Sequence, residues 1–435
     1  MSEIEHRISK RALNFPDNPI RGLEILAFEV RNKGIKVIPL NIGAPDTPSP
    51  REVMVSVSAY LSERDHVEYG PSTGNIKLRE ARSRFYKDKL GLEIEPENIL
   101  VTAGASEAME LAVYSVTNPD DEVITPEPFF PNYLSTCYKY DTKFGVIQTR
   151  IEDGFHIIRE GETLQAAYAR IESLVSTKTK AIIWSSPSNP TGAVYSNEEL
   201  ELLFKVAKDH NLFLIADEVY RLLTFDGGVS YKEGLVRAPS IYDVVPQSDR
   251  SRVLCLDSSS KEISFCGGRT GYLILDQFLV PYVLKNASVR ACPNMLGQGA
   301  VEGIDQIDPK YFLKNQQELK LRRDLTYKHL SDMKDIGVTV SPKPPEGAFY
   351  IPFDLGDEIS AENFCRWMLT DFPRKSGSNK TVFLTPMRSG KGGFYLDETK
   401  GKSQVRIAYV RESSELVEAM DIVRSAIIAY KNEDQ

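Results

Sequence analysis

The stretch Asp257-Ser-Ser-Ser-Lys-Glu-Ile-Ser-Phe-Cys-Gly-Gly-Arg-Thr-Gly-Tyr272 concentrates the groups best suited to chemistry in this chain. An apolar run ends at Leu256. Three hydroxyls, Ser258 to Ser260, precede Lys261, and Arg269 follows eight positions later among Gly267, Gly268 and Gly271. A lysine amine attacks carbon only when unprotonated, a state that burial or neighbouring cations favour. Hydroxyls and an arginine suit a phosphate, which a guanidinium grips at two oxygens. The glycines allow close backbone approach. One ligand offers an aldehyde to the lysine and a phosphate to the arginine: pyridoxal 5'-phosphate (PLP). A serine-rich turn with solvated charges would look the same, and this stretch alone leaves both readings open.

The same chemistry asks for further groups. A pyridine ring is the better electron sink when its nitrogen stays protonated, so a carboxylate should face it. Asp217, closing the run Leu212 to Ala216, is placed for that, or it caps a helix. Tyr220 and Asn189 can donate to the ring oxygen, although Asn189-Pro-Thr-Gly192 is equally a plain turn. Gly104-Ala105-Ser106 opens a helix whose first N–H groups suit a phosphate, unless Ser106 merely caps it. Arg406 sits in strand-like Val405-Arg-Ile-Ala-Tyr-Val410, where its charge needs a partner. A substrate carboxylate would serve, and so would an internal Glu.

These clusters follow apolar runs in a regular alternation. Strand-like segments are predicted at 99–102, 123–125, 144–149, 181–184, 212–216 and 253–256. Helical spacing appears at 107–116 and 197–209, the latter with Leu200, Leu203 and Ala207 on one face. That order predicts an α/β fold with a mostly parallel sheet and ligands beyond the carboxyl ends of its strands. After about residue 310 the pattern changes to a long charged helix (309–335), strands at 338–340, 348–353, 382–385 and 405–410, and a last helix from Ser414. The expected organisation is an N-terminal arm with part of a small domain (1–50), a large domain (51–310) and a C-terminal α+β small domain (311–435). Segments 374–380 and 388–401 read as surface loops.

Composition narrows the function. The chain has 435 residues and a net charge of −8, which argues against a general nucleic-acid binder. No apolar run approaches membrane-span length, and the start, Met-Ser-Glu-Ile-Glu-His-Arg, is charged where a signal peptide needs an apolar core. Five scattered cysteines form no CxxC pair, and the five histidines show no metal-ligand spacing. No metal is expected, and the default compartment is a reducing cytoplasm.

Taken together and in order, the clusters resemble the class I/II aminotransferases of PLP fold type I, from about Pro19 to the C-terminus. The marks are Asn41-Ile-Gly-Ala-Pro-Asp46, Tyr69-Gly-Pro-Ser-Thr-Gly74, Gly104-Ala-Ser-Glu-Ala108, Glu127-Pro-Phe-Phe-Pro-Asn132, Ser188-Asn-Pro-Thr-Gly192, Asp217-Glu-Val-Tyr220, Ser258-Ser-Ser-Lys261 with Arg269, Glu346-Gly-Ala-Phe-Tyr350 and Val405-Arg-Ile-Ala408. The resemblance implies that Lys261 bonds the cofactor's aldehyde carbon and then shuttles a proton. It implies that Asp217 pairs with the ring nitrogen, that Asn189 and Tyr220 bind the ring oxygen, and that Phe130 stacks on the ring. Ala105, Ser106, Ser258 and Arg269 would hold the phosphate. Tyr69 would reach the phosphate of a neighbouring subunit, which implies a homodimer. Arg406 would fork the substrate α-carboxylate, with the Gly43 backbone nearby.

Two departures stand out. The family's loop of Pro-Gly and an aromatic residue is here Pro386-Met-Arg-Ser-Gly-Lys-Gly-Gly-Phe394, longer and basic. An aspartate-specific branch carries Lys where this chain has Ser106. Arg290 resembles an arginine that binds a distal carboxylate across the subunit boundary in aspartate aminotransferases, and it reads equally well as an interface arginine. Arg21, Arg388 and Lys391 are alternative cations. The expected reaction is ping-pong transfer of an amino group from an L-amino acid, aspartate favoured, to a 2-oxo acid such as 2-oxoglutarate. Rivals are an aromatic- or alanine-type aminotransferase and a lyase of the same fold (cysteine-sulfur or aminocyclopropane-forming). A PLP-binding transcription regulator would need an added helix-turn-helix domain. A nicotinamide dehydrogenase would need a GxGxxG that is missing.

Overall fold

The computed structural model describes residues 7–356 and 358–433; the charged segment 1–6 lies outside them. A seven-stranded sheet forms the centre. Its strands are Ile99–Thr102 (β1), Glu122–Glu127 (β2), Lys143–Gln148 (β3), Thr179–Ser185 (β4), Phe213–Asp217 (β5), Val253–Ser258 (β6) and Gly271–Leu275 (β7), in the spatial order β1-β7-β6-β5-β4-β2-β3. Strands β2 to β6 pair in parallel. β7 runs antiparallel to both β6 and β1, so β1 points the same way as β6. The expected mostly parallel α/β sheet is present. The sequence reading assigned no strand to 271–275, because its apolar run is short and directly follows the glycine-rich turn.

Helices cover both faces, so the strands are apolar on both sides. Alternation along each strand sends neighbours to opposite cores. Val101, Ile182, Leu214, Cys255 and Tyr272 fall in one, and Leu100, Ile183, Ile215, Leu254 and Leu273 in the other. A third core joins the chain's two ends. Leu23, Ala27, Val30, Ile38 and Leu40 pack with Phe353, Phe364, Ile407, Met420 and Val423. There Lys36–Pro39 pairs in parallel with Lys380–Phe383. Beside it is a four-stranded antiparallel sheet in the order Thr339–Val340, Tyr350–Asp354, Gln404–Ala408, Thr385–Pro386. Asp308 caps the helix Pro309–Ser331, with Pro309 at its first position. The stretch expected to continue that helix to 335 tightens instead into a 3-10 turn, Asp332–Ile336, ended by Gly337. The presumed loop 374–380 begins inside a short helix, Phe372–Ser376.

His156 ties the sheet region to the C-terminal region. Its ring nitrogens lie 3.0 Å from a Glu199 oxygen and 3.2 Å from a Glu346 oxygen. Glu199 belongs to the capping box of the helix Asn197–Asp209, and Glu346 also accepts the Val194 N–H. Burial opposes the imidazolium, but the two carboxylates outweigh it and raise its pKa from 6.5 to about 10. Because the folded value is the higher one, this stabilisation is complete below pH 6.5 and disappears as pH rises through about 10. The unfolding free energy of the natural chain minus that of His156→Gln should therefore be positive at about pH 6 and vanish by about pH 11. Urea titrations at the two pH values would measure it; a difference independent of pH would exclude an ionic clasp.

Candidate active site

The carboxyl ends of β1, β4, β5 and β6 lie on one side of the sheet; Ala105 and Asn189 come shortly after β1 and β4, and Asp217 and Ser258 are the last residues of β5 and β6. They border a cleft of about 880 Å³ completed by Gly43, Ala105, Ser106, Phe130, Tyr220, Lys261, Arg269 and Arg406. Residues distant in sequence meet there: Arg406 bonds the Asn41 carbonyl, 365 positions away.

Lys261 sits in a one-turn helix, Ser259–Glu262, whose start is capped by Ser258: its Oγ accepts the Ser260 N–H at 3.1 Å. The Lys261 amine donates to the Gly43 carbonyl at 2.6 Å. From behind, the fully buried Arg82 holds Asp257 at 2.6 Å and Glu262 at 2.5 Å, the residues four before and one after the lysine. Tyr86 donates to the same Asp257 oxygen at 2.8 Å. Burial pushes Glu262 upward, whereas Arg221 and Arg82 overcome burial at Asp257 and hold it below its usual range. Removing Arg82 would leave Glu262, the residue next to Lys261, a buried carboxylate without its ion pair.

Asp217 closes β5 on the cleft floor. Burial raises its pKa to about 6, against the lowering effect of the Tyr133 hydroxyl, which donates at 2.8 Å, and of the Val219 N–H. It is therefore an ionised, poorly hydrated carboxylate at neutral pH, a site where a ligand N–H⁺ gains strongly. The Tyr220 hydroxyl lies 2.9 Å from that of Tyr350. Phe130 meets the Tyr133 ring edge-on, with centroids 5.8 Å apart.

At the other end, the helix Ala105–Val116 starts at the cleft and Arg269 lies across its first turn. The Arg269 guanidinium donates to the carbonyls of Ala103 and Cys266, each at 3.2 Å, and forms no ion pair among the described residues. Glycine is required at two positions here. A Cβ on Gly104, whose φ is +83°, would stand 2.5 Å from the Arg269 Nη2. A Cβ on Gly271 would stand 2.6 Å from the Gly104 Cα. The cradle thus combines a free cation with exposed helix N–H groups, the donor set of an anion site.

Arg406 is fully buried. It donates to the Asn189 Oδ1 at 2.7 Å and to the Asn41 carbonyl at 2.5 Å, and lies 4.3 Å from the Tyr350 ring centre. Among the described residues no carboxylate pairs with it. Burial alone lowers its pKa, and its Nε has no partner.

Two residues expected to serve a neighbouring subunit's site lie outside the cleft of their own chain. Tyr69 is 85% exposed and outside the cleft. Every nitrogen of Arg290 is taken: it donates to Glu107 at 2.8 Å and to the carbonyls of Ala287, Ser72 and Val101. Of the alternative cations, Arg388 pairs with Glu362 and Lys391 donates to the Asn14 carbonyl. Arg21 lines the cleft and has no ion pair among the described residues. Sequence reasoning missed Tyr133 and Tyr350, although each lies beside or inside a motif it had marked. It also missed Phe15, Pro16, Asn18 and Ile20, which line the mouth. Nothing in that polar, proline-broken segment announces such a position.

The family described as Aminotransferase class I and II matches residues 35–372. The chain belongs to this family. Such enzymes are PLP-dependent transaminases, and a lyase of the same fold is not favoured. The aspartate aminotransferase of Thermotoga maritima is 30% identical over 417 residues, spanning 95% of this chain and 97% of the relative. A probable aspartate aminotransferase of Methanocaldococcus jannaschii is 28% identical, spanning 96% and 99%. Among solved structures, an alanine aminotransferase from Pyrococcus furiosus superposes with a TM-score of 0.82 at 28% identity, covering 97% of this chain and 100% of that one. In this aminotransferase the residues at hand fit PLP: an amine on a short helix, a carboxylate at the end of β5 and a glycine-walled anion cradle line one cleft.

Proposed function

We infer that this aminotransferase acts as a homodimer on acidic L-amino acids, passing the amino group to a 2-oxo acid. The observation that carries the amino-acid and 2-oxo-acid part of the reading is Arg406, a buried guanidinium with no carboxylate partner among the described residues. An unpaired buried charge is costly unless a ligand supplies the counter-charge, and every α-amino acid and 2-oxo acid brings a carboxylate. PLP, when bound, supplies the aldehyde that takes the amino group and the ring that accepts the electron pair of the Cα–H bond.

The remaining chemistry belongs to the chain. Ala105, Ser106, Ser258 and Arg269 would hold the phosphate, Asp217 would pair with the ring nitrogen, Asn189 and Tyr220 would bind the ring oxygen, and Phe130 would pack against the ring. Arg406, tied to Asn189, orients the α-carboxylate near Gly43. The Lys261 amine removes the proton from the donor Cα, and in the second half-reaction delivers one to the Cα of the incoming 2-oxo acid. The two halves share one site in turn, a ping-pong cycle.

A dimer is supported by the exposed Tyr69, accompanied by Val67, Val289 and Leu296 on exposed segments. Ser72 joins two of these segments by donating to the Ala291 carbonyl at 2.5 Å. The five cysteines are all free, which favours a reducing compartment such as the cytoplasm. No described helix is long and apolar enough to cross a membrane.

For the acidic side chain the structure offers Arg21 at the cleft mouth. Relatives named as aspartate aminotransferases support this choice. Arg21→Gln should lower kcat/KM for aspartate about tenfold relative to alanine. Steady-state kinetics with both donors would measure it, and an unchanged ratio would favour an alanine- or aromatic-type donor.

A further inference from the structure

Arg290 sits outside its own cleft, yet its contacts converge on the two segments that would serve the phosphate. β1 is the edge strand of the sheet, paired only with β7. At Val101, whose backbone groups turn away from β7, the N–H donates to the Thr73 carbonyl and the carbonyl accepts from Arg290 at 2.9 Å. Arg290 also holds the Ser72 carbonyl at 3.1 Å, in the loop that carries Tyr69. Its third anchor is Glu107 at 2.8 Å, and the same Glu107 oxygen accepts the Ala103 N–H at 2.6 Å. The Ala103 carbonyl is in turn held by Arg269. The residue just before Gly104 is therefore clamped on both sides, by Arg269 directly and by Arg290 through Glu107.

Charge gives this clamp a second consequence. Glu107 lies in the first turn of the helix Ala105–Val116, whose N-terminus must accept a phosphate. An unpaired carboxylate there would repel that phosphate. Arg290 neutralises it.

We propose that Arg290 is a positioning residue for cofactor retention: it fixes Glu107 and the Ala103–Gly104 turn of its own phosphate cradle, and the Tyr69 loop that serves the neighbouring subunit. This rests on the PLP reading above. It gives Arg290 a role distinct from binding a distal carboxylate, for which no guanidinium nitrogen is free.

The test uses the holoenzyme and two variants, Arg290→Gln and Glu107→Gln. PLP affinity is measured by equilibrium dialysis followed by cofactor absorbance. Arg290→Gln should bind PLP about tenfold more weakly, whereas Glu107→Gln, which keeps an acceptor for the Ala103 N–H and sheds the charge that Arg290 neutralises, should bind within about threefold of the natural enzyme; the double variant should recover part of the Arg290→Gln loss, because the two act as one unit. At saturating PLP, the ratio of kcat/KM for aspartate to that for alanine should stay within about threefold of the natural enzyme. Unchanged PLP affinity in Arg290→Gln would overturn the proposal, as would a larger fall in that ratio. Should Arg290→Gln fail to fold, Arg290→Lys, which keeps the charge but loses the planar fork that bonds Glu107, Ser72 and Val101 together, decides by the same two readings. Natural protein that takes up no PLP would instead strike the cofactor assignment itself, a result separable from a variant that binds as well as the parent.

Discussion

Lys261→Ala should reduce transamination from aspartate to 2-oxoglutarate by at least about 10⁴-fold, the scale of a lost general acid–base catalyst that also serves as nucleophile. The side chain has two duties that no neighbour can assume. It is the amine placed among the Tyr220 and Phe349 rings at the carboxyl end of β6. It is also the group whose length lets one nitrogen reach the Gly43 carbonyl now and the substrate Cα later. Borohydride treatment should fix PLP to the natural protein and not to the variant. PLP itself should still bind, since the cradle of Arg269, Ala105 and Ser106 is untouched. Turnover near the natural rate would refute the assignment of the base.

Arg406→Met should lower kcat/KM for every α-amino acid donor by on the order of 10²–10³, the cost of deleting one member of a buried, hydrogen-bonded charge pair. The loss should be similar for aspartate and alanine, because both present the same α-carboxylate. That separates Arg406 from Arg21, whose removal should discriminate between them. A primary amine without a carboxylate should lose little. The variant is not expected to unfold. Methionine approximates the stem volume, and the free enzyme no longer buries a guanidinium whose charge has no carboxylate partner among the described residues. Equal losses for amines with and without a carboxylate would mean that Arg406 supports the cleft wall without binding substrate.

Why were some parts of this site readable beforehand and others not? Lys261, Asp217, Asn189 and Arg269 each follow or adjoin a short buried strand. In a parallel sheet the strand pattern itself places such residues at one edge. Local rules also located Gly104 as part of the turn that opens a helix; that the turn needs φ +83° and no Cβ beside Arg269 is a tertiary fact. Tyr133 could not be chosen, since a tyrosine three residues after Phe130 is ordinary helix packing until Asp217 is known to lie 2.8 Å away. The missed β7 has the same cause. Gly271–Leu275 is a plain apolar pentapeptide, and only its pairing with β6 and β1 makes it the sheet's antiparallel strand.

Arg290 is the sharpest case. Spacing from Lys261 suggested a cation offered to a substrate, whereas its neighbours in space, Ala287, Glu107, Ser72 and Val101, engage all three of its nitrogens. Arg388 and Lys391 were likewise reasonable cations by composition and are engaged elsewhere. Charge is a property of the residue, but availability depends on partners that come from distant segments.

By itself, then, the order of residues determined the α/β class, the cofactor chemistry and the identity of the groups able to perform it. Those follow from periodicity and from side-chain reactivity, which are local. Tertiary structure alone decided which arginine remains unpaired and buried, which aromatic hydroxyl tunes Asp217, and that residues 15–21 form the mouth of the cleft. Each of these depends on contacts between segments more than 80 residues apart, such as Tyr133 with Asp217 and Asn41 with Arg406. Burial and hydrogen bonding at that range are set by how the layers pack, and no stretch of the chain encodes them alone.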